Sequence, residues 1–287
     1  MSFRSTLRLA VPVLMLSALA QANAQTVVVT TPTGTVTNPG GPDMNDPFAF
    51  DTWLRDNVRA GSTVGITNTY ARSGNGSAQM TGTIANTSKA DMEYYFGGQY
   101  ITPFSLSSLS AASYEWLRNS SSTANGFLVP SLRFMIDEDG NFNTTTDRSI
   151  LIYEPIYNGT TTAAVDTWVS EAINGTSNLW WRQFNPGNTV VDPFGQQLNA
   201  YQSATGVTSA GRTITGNSVV YGLSSGIGSG WNGTFDGAVD NIEVAYGNND
   251  VTFNFETTTA TPEPATLVLF ATGFMGVVGF ARKRRTV

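Results

Sequence analysis

Residues 134–155 read FMIDEDGNFNTTTDRSILIYEP. Two apolar runs, Leu132–Ile136 and Ile150–Tyr153, flank an acidic middle rich in Asn, Asp, Gly and Thr. Short β-branched and aromatic runs bounded by turn residues read as strands, and the middle reads as a long hairpin loop. Working outward, the same texture recurs. Candidate strands are FAFDTWL, STVGITNTY, GSAQMTGT, MEYYFGG, ASYEWLR and PSLRFMID, then RSILIYEP, TWVSEAI, LWWRQF, SVVYGLSSG, FDGAVDNIEVAY and DVTFNF. They follow one another at intervals of about 10–15 residues, several with period-two alternation. This spacing predicts an all-β chain, an antiparallel β-sandwich or jelly roll of lectin-like type. Helical signals are confined to VDPFGQQLNAYQSA (191–204) and SLSSLSAA (105–112), each long enough for a short turn. No segment carries a long apolar stripe of 3.6-residue period.

The 287-residue chain has no Cys and no His. That excludes thiol nucleophiles, Ser-His-Asp triads and zinc sites built on imidazole or thiolate. Carboxylates, Lys, Ser/Thr, Tyr and oxygen-ligated metals remain. Charge is unevenly placed. Residues 25–264 hold all 21 acidic groups against nine of the 15 basic ones, a net of −12, and Lys89 is their only lysine. Such a surface repels nucleic acid and anionic lipid, so no nucleic-acid partner is expected.

Both ends carry export features. Arg4 and Arg8 precede an apolar core from Leu9 to Ala20, followed by Ala22-Asn23-Ala24. A basic start, a short apolar run and an A-x-A site read as a cleavable secretory signal, with a short membrane anchor as the competing reading. At the other end stand Pro262-Glu263-Pro264, an uncharged stretch over residues 265–281, and Arg282, Lys283, Arg284 and Arg285. The stretch is near the lower limit for a transmembrane helix, and its cationic flank orients the C-terminus to the cytoplasm. Prolines before it bias the backbone toward an extended, protease-accessible form. The organisation expected is a signal peptide (1–24), a linker (25–47) with one edge strand at its TVVV run, a β-sandwich (48–256), a linker with the Pro-Glu-Pro motif (257–264), a membrane helix (265–281) and a basic tail (282–287).

Taken in order, the Pro-Glu-Pro motif, apolar segment and basic cluster resemble the PEP-CTERM sorting signal of Gram-negative bacteria. The resemblance implies an exosortase partner that recognises and processes the tail. It also implies transient residence in the inner membrane, then delivery to the cell surface or a polysaccharide matrix. A single-pass anchor that is never cut is the alternative. Between Arg72 and Glu256, the stretches RSGNGSAQM, SKADMEYYF, VPSLRFMIDEDG, LIYEPIYNG, LWWRQF and FDGAVDNIEVAYGNNDVTFNFE are similar to an extracellular domain of PEP-CTERM proteins. That resemblance implies a lectin-like sandwich and carries no binding residue with it.

Three groups of residues invite chemistry. Asp137, Asp139, Asn141 and Asn143 recur every second residue, and Asp147 follows. Closely spaced oxygen side chains can curl around calcium. The same residues can instead bond their own backbone in a solvated turn. Gly140 and Arg148 stand where an EF-hand would not have them, so the loop is no EF-hand. Second, Trp180 and Trp181 are adjacent in a strand and must point to opposite sides, one to the core and one outward with Arg182 nearby. An outward Trp offers a face on which a sugar ring can stack, and Trp53, Trp116, Trp168 and Trp231 carry the same choice between such a contact and core packing. Third, Glu115, Glu154, Asp166 and Glu171 lie in or beside strands, where a glycosidase pair would sit. GLSSGIGSGWNG (222–233) lacks the Lys-Ser/Thr of a phosphate loop and is expected to be a flexible connection. The sequence thus points to a non-catalytic surface protein with a structural or adhesive role in biofilm or exopolysaccharide. A carbohydrate-binding module is the alternative and a glycoside hydrolase the more distant one. No cofactor is required, calcium apart.

Overall fold

The computed structural model describes residues 23–31, 33–36, 50–183 and 190–258. Residues 1–22, where a signal peptide is expected, and the Pro-Glu-Pro motif, the apolar segment and the basic cluster lie outside the described residues. In chain order the strands are β1 (Asn23–Val29), β2 (Thr33–Val36), β3 (Trp53–Asp56), β4 (Ser62–Thr67), β5 (Ser77–Gly82) and β6 (Ala90–Tyr95). Next come β7 (Phe104–Ser105), β8 (Leu109–Arg118), β9 (Ser131–Asp137), β10 (Arg148–Tyr153), β11 (Trp168–Ile173) and β12 (Asn178–Gln183). The last are β13 (Val190–Gln197), β14 (Val207–Ser209), β15 (Arg212–Ile214), β16 (Val219–Ile227), β17 (Phe235–Tyr246) and β18 (Asn249–Phe255).

Two sheets make the sandwich. The smaller has seven strands: β17 pairs with β8 along one edge and with β5 and then β18 along the other, and β4, β11 and β1 complete it. The larger runs β13-β12-β10-β9-β16-β6-β3-β2, with β7 also on β16. Pairing is antiparallel except for β1 on β18 and β2 on β3. Period-two alternation sends Trp53, Tyr94, Phe134, Leu151 and Trp181 of the larger sheet inward, where they meet Trp116, Phe253 and Phe255 of the smaller. All of these are buried.

All twelve strands read from the sequence are present. Two local expectations hold and one is corrected. VDPFGQQLNAYQSA carries the short helical turn expected of it, α1 (Leu198–Tyr201), after a first half that pairs with β12. Residues Gly222–Ile227 of the Gly-rich segment belong to β16, and only the part beyond them is a loop. The edge strand expected at TVVV is β1, which starts at Asn23 and Ala24, opposite Asn249 and Asp250.

The larger sheet is buried on both faces at its centre. Every residue of β9 is buried, so its outward side chains cannot be ordinary solvent-facing ones. Leu54, Tyr95, Met135, Ile150, Ile152 and Tyr221 form a second apolar cluster there, and Trp180 packs on it. A register shift in β16 between Val220 and Gly222 brings Tyr221 into this cluster.

Candidate functional site: a cationic cleft beside Trp180

Cross-strand register builds the site. Trp180 stands opposite Ile152, Ile152 opposite Arg133, Arg133 opposite Ser224, Ser224 opposite Glu93 and Glu93 opposite Leu54. One row of outward side chains therefore crosses six strands. A parallel row places Arg182 opposite Ile150. At one end the sheet, the loop after β3, Lys89 and the loop after β16 enclose a cleft of about 160 Å³. Its apolar floor is Ile150 and Ile152, and Trp180 and Trp231 are partly exposed along it.

The cleft gathers cations. Arg59, Lys89, Arg133 and Arg182 line it, four of the nine basic residues in 25–264. Two carboxylates join them, Asp91 and Glu154. Asp91 is 1% exposed, and its oxygens lie 2.6 Å from Lys89 Nζ and 2.6 Å from Arg133 Nη1. Asn57 Nδ2 donates to the same carboxylate at 3.2 Å, and Arg59 Nε donates to Asn57 Oδ1 at 3.3 Å. Gly226, opposite Asp91 in β16, makes this possible: a Cβ there would collide with the Asp91 carboxylate. Trp180 Nε1 donates to Glu154 Oε2 at 3.0 Å, which fixes the edge of the indole.

Burial and neighbouring charge set the protonation states. Burial alone would push the Asp91 carboxyl up, but Arg133 and Lys89 together outweigh it and hold it below the usual range. Burial brings Lys89 down to about 8, with the charge of Arg133 acting in the same direction and Asp91 opposing. Burial pushes Glu154 up, and it pushes Glu93, next to Asp56 and Asp91, well above the carboxylate range. Arg182 is lowered by burial and by the like charges of Arg133 and Arg59.

The other sequence candidates are placed elsewhere. Trp181 lies wholly in the inter-sheet core, edge-on to Tyr201 at 6.5 Å, and so is withdrawn as a sugar contact. Asp137, Asp139 and Asp147 converge, each offering an oxygen within 4.8 Å of the others. Burial, followed by the charge of Asp147, pushes Asp137 up to about 6. Asn141 and Asn143 serve the loop itself. Asp139 accepts the Asn141 N–H at 2.7 Å, and Asn141 accepts the Asn143 N–H at 3.3 Å. Both readings of that loop thus keep a footing, a self-bonded turn with a carboxylate cluster at its base. Glu115 is held bidentately by Arg72 at 2.8 Å, Glu171 accepts from Trp116 at 3.1 Å and Tyr153 at 2.9 Å, and Asp166 accepts the Ser120 N–H at 2.9 Å. Glu154 alone of the four lines the cleft.

Sequence reading missed Arg59, Lys89, Arg133 and Asp91. Their union depends on strand order, which joins β6 to β9 through β16. The available signal was the W-W-R run in β12, whose alternation puts Trp180 and Arg182 on one face.

Among solved structures, the chain is similar to a family 11 carbohydrate-binding module from Clostridium thermocellum in complex with a β-1,3-1,4-mixed-linked tetrasaccharide. That match has 14% identity and a TM-score of 0.37, covering 70% of this chain and 93% of that one. It is also similar to the family 11 module of the cellulosomal cellulase Lic26A-Cel5E of the same organism, at 15% identity and a TM-score of 0.37, covering 75% and 95%. A third is TmCBM61 in complex with β-1,4-galactotriose, at 8% identity and a TM-score of 0.25, covering 72% and 98%. No curated protein sequence matches the chain. Among the described residues no helix is long and apolar enough to cross a membrane. A family model of the PEP-CTERM protein-sorting motif matches residues 260–285. The chain is therefore an exported protein that carries the PEP-CTERM sorting signal.

Proposed function

We propose that the sandwich domain binds polysaccharide in the cleft beside Trp180, giving the exported protein an adhesive, non-catalytic place in an extracellular matrix. The observation that carries this reading is the partly exposed indole of Trp180, anchored at its edge by Glu154 on the wall of a polar cleft. A sugar offers an apolar ring face for the indole and hydroxyls for the surrounding charged groups. Equilibrium binding of the purified full-length protein to a panel of acidic and neutral polysaccharides tests it. Trp180→Ala is expected to weaken binding about tenfold or more while leaving the fold intact, because the stacking surface is lost. Unchanged binding in that variant would place the ligand elsewhere.

The sorting signal supports a second part of the proposal: exosortase recognises Pro262-Glu263-Pro264 and removes the tail, after brief membrane residence through residues 265–281. Expression in hosts with and without exosortase, followed by mass measurement of the C-terminus, checks it. The expected outcome is a truncated, released protein only where the enzyme is present, and an intact tail in both hosts would end this reading.

A further inference from the structure

We infer that the cleft selects an anionic sugar, one whose ring carries a carboxylate or a sulfate group. This rests on the polysaccharide-binding reading above and narrows it. The residues flanked by the two export signals bear a net charge of −12, yet four of their nine cations converge on one cleft. A surface built only for solubility gives no reason for that concentration.

The charges inside the cleft do not cancel. Asp91 is shared between Lys89 and Arg133 at 2.6 Å each, so one carboxylate serves two cations. Glu154 already accepts the Trp180 N–H, and burial favours its neutral form. Arg182 forms no salt bridge with any described residue, and its Nε is buried without a hydrogen-bond partner there. Leaving a guanidinium N–H buried and unmet is costly, and an anionic acceptor removes that cost. A neutral sugar supplies weaker acceptors and no counter-charge. Geometry places the two needs side by side. Trp180 and Arg182 are alternate residues of β12, on one face and about 7 Å apart along the strand. A ring stacked on the indole thus has its exocyclic acidic group within reach of the guanidinium. Arg is suited to this role because its planar fork meets a carboxylate or sulfate with paired N–H donors.

The test measures affinity of the full-length protein for polygalacturonate, its carboxyl-reduced neutral counterpart, dextran sulfate and dextran. At least one acidic polymer is expected to bind about tenfold tighter than its neutral counterpart. The two acidic arms tell carboxylate from sulfate recognition. Arg182→Gln should abolish the preference, bringing the affinity for the acidic polymer down to that for its neutral counterpart, with the melting temperature measured alongside. Equal affinity for acidic and neutral polymers would overturn the anionic assignment and leave polysaccharide binding standing. Failure to bind all four would overturn both. Full retention of the preference in Arg182→Gln, or in Arg59→Gln should the first variant not fold, would also overturn the assignment.

Discussion

Replacing Asp91 by Asn is expected to remove about 3–5 kcal/mol of folding stability, although the two side chains have nearly the same shape. Exposed ion pairs are worth about 0–1 kcal/mol, because water solvates their members almost as well apart as together. Asp91 is 1% exposed, its partner Arg133 is buried with it, and its other partner Lys89 is largely covered. Removing the carboxylate charge leaves two cations in a site with too few counter-charges, since burial raises Glu93 well above the usual carboxylate range. The pH dependence gives an independent check. The folded-state pKa of Asp91 lies below its unfolded value. Its contribution is therefore fully present above the unfolded value of about 3.9 and is lost as pH falls through the folded one. Wild-type protein should shed this stability over that acid window, and the Asn variant should lack the corresponding slope. Urea melts at pH 7 and pH 3 measure both. A loss below about 1 kcal/mol at pH 7 would mean that the triad behaves as a surface bridge.

The strand inventory was legible because it depends on local alternation. Trp180-Trp181-Arg182 shows how far that reaches: period two alone separates Trp181 in the core from Trp180 and Arg182 outside. Arg133 shows where it stops. Alternation in SLRFMID puts Arg133 with Met135 on one face, but not which strand lies next door. Its partner Asp91 is 42 residues away, brought near because β16 is inserted between β9 and β6. A long-range insertion of that kind leaves no mark on either segment. The burial of the outer face was hidden for the same reason, since polar residues in a strand normally read as solvent-facing. The loop at 137–147 shows a third case. Its Asp and Asn spacing was visible, but only the fold shows which side chains converge and which bond the backbone. In VDPFGQQLNAYQSA, composition suited the short helix that forms at Leu198–Tyr201, while the ladder that the edge of β12 offers the residues before it was not visible.

Trp53→Ala should cost about 3–5 kcal/mol, the cost of truncating a fully packed aromatic and leaving a cavity. Trp53 joins the two sheets: from β3 it meets Tyr94 of its own sheet at 5.5 Å and Phe253 and Phe255 of the facing sheet at 5.3 and 5.1 Å. The last two contacts are edge-on, an arrangement worth about 0.5–1.5 kcal/mol per pair beyond area burial. One term opposes them. The indole Nε1 is buried without a hydrogen-bond partner among the described residues, and an unmet donor costs about 1–3 kcal/mol. Trp53→Phe removes that donor while keeping most of the ring, so the two effects offset and the change should stay within about 1.5 kcal/mol. Ala keeps nothing, and packing loss wins. For a domain of this size the Ala variant should melt about 10 °C lower. Trp180→Ala, at the rim of the cleft, should leave the melting temperature nearly unchanged and act on ligand affinity instead. Thermal and urea melts of the three variants separate these cases. If Trp53→Ala and Trp180→Ala were equally destabilising, the division between an inter-sheet core and an outward binding face would not hold.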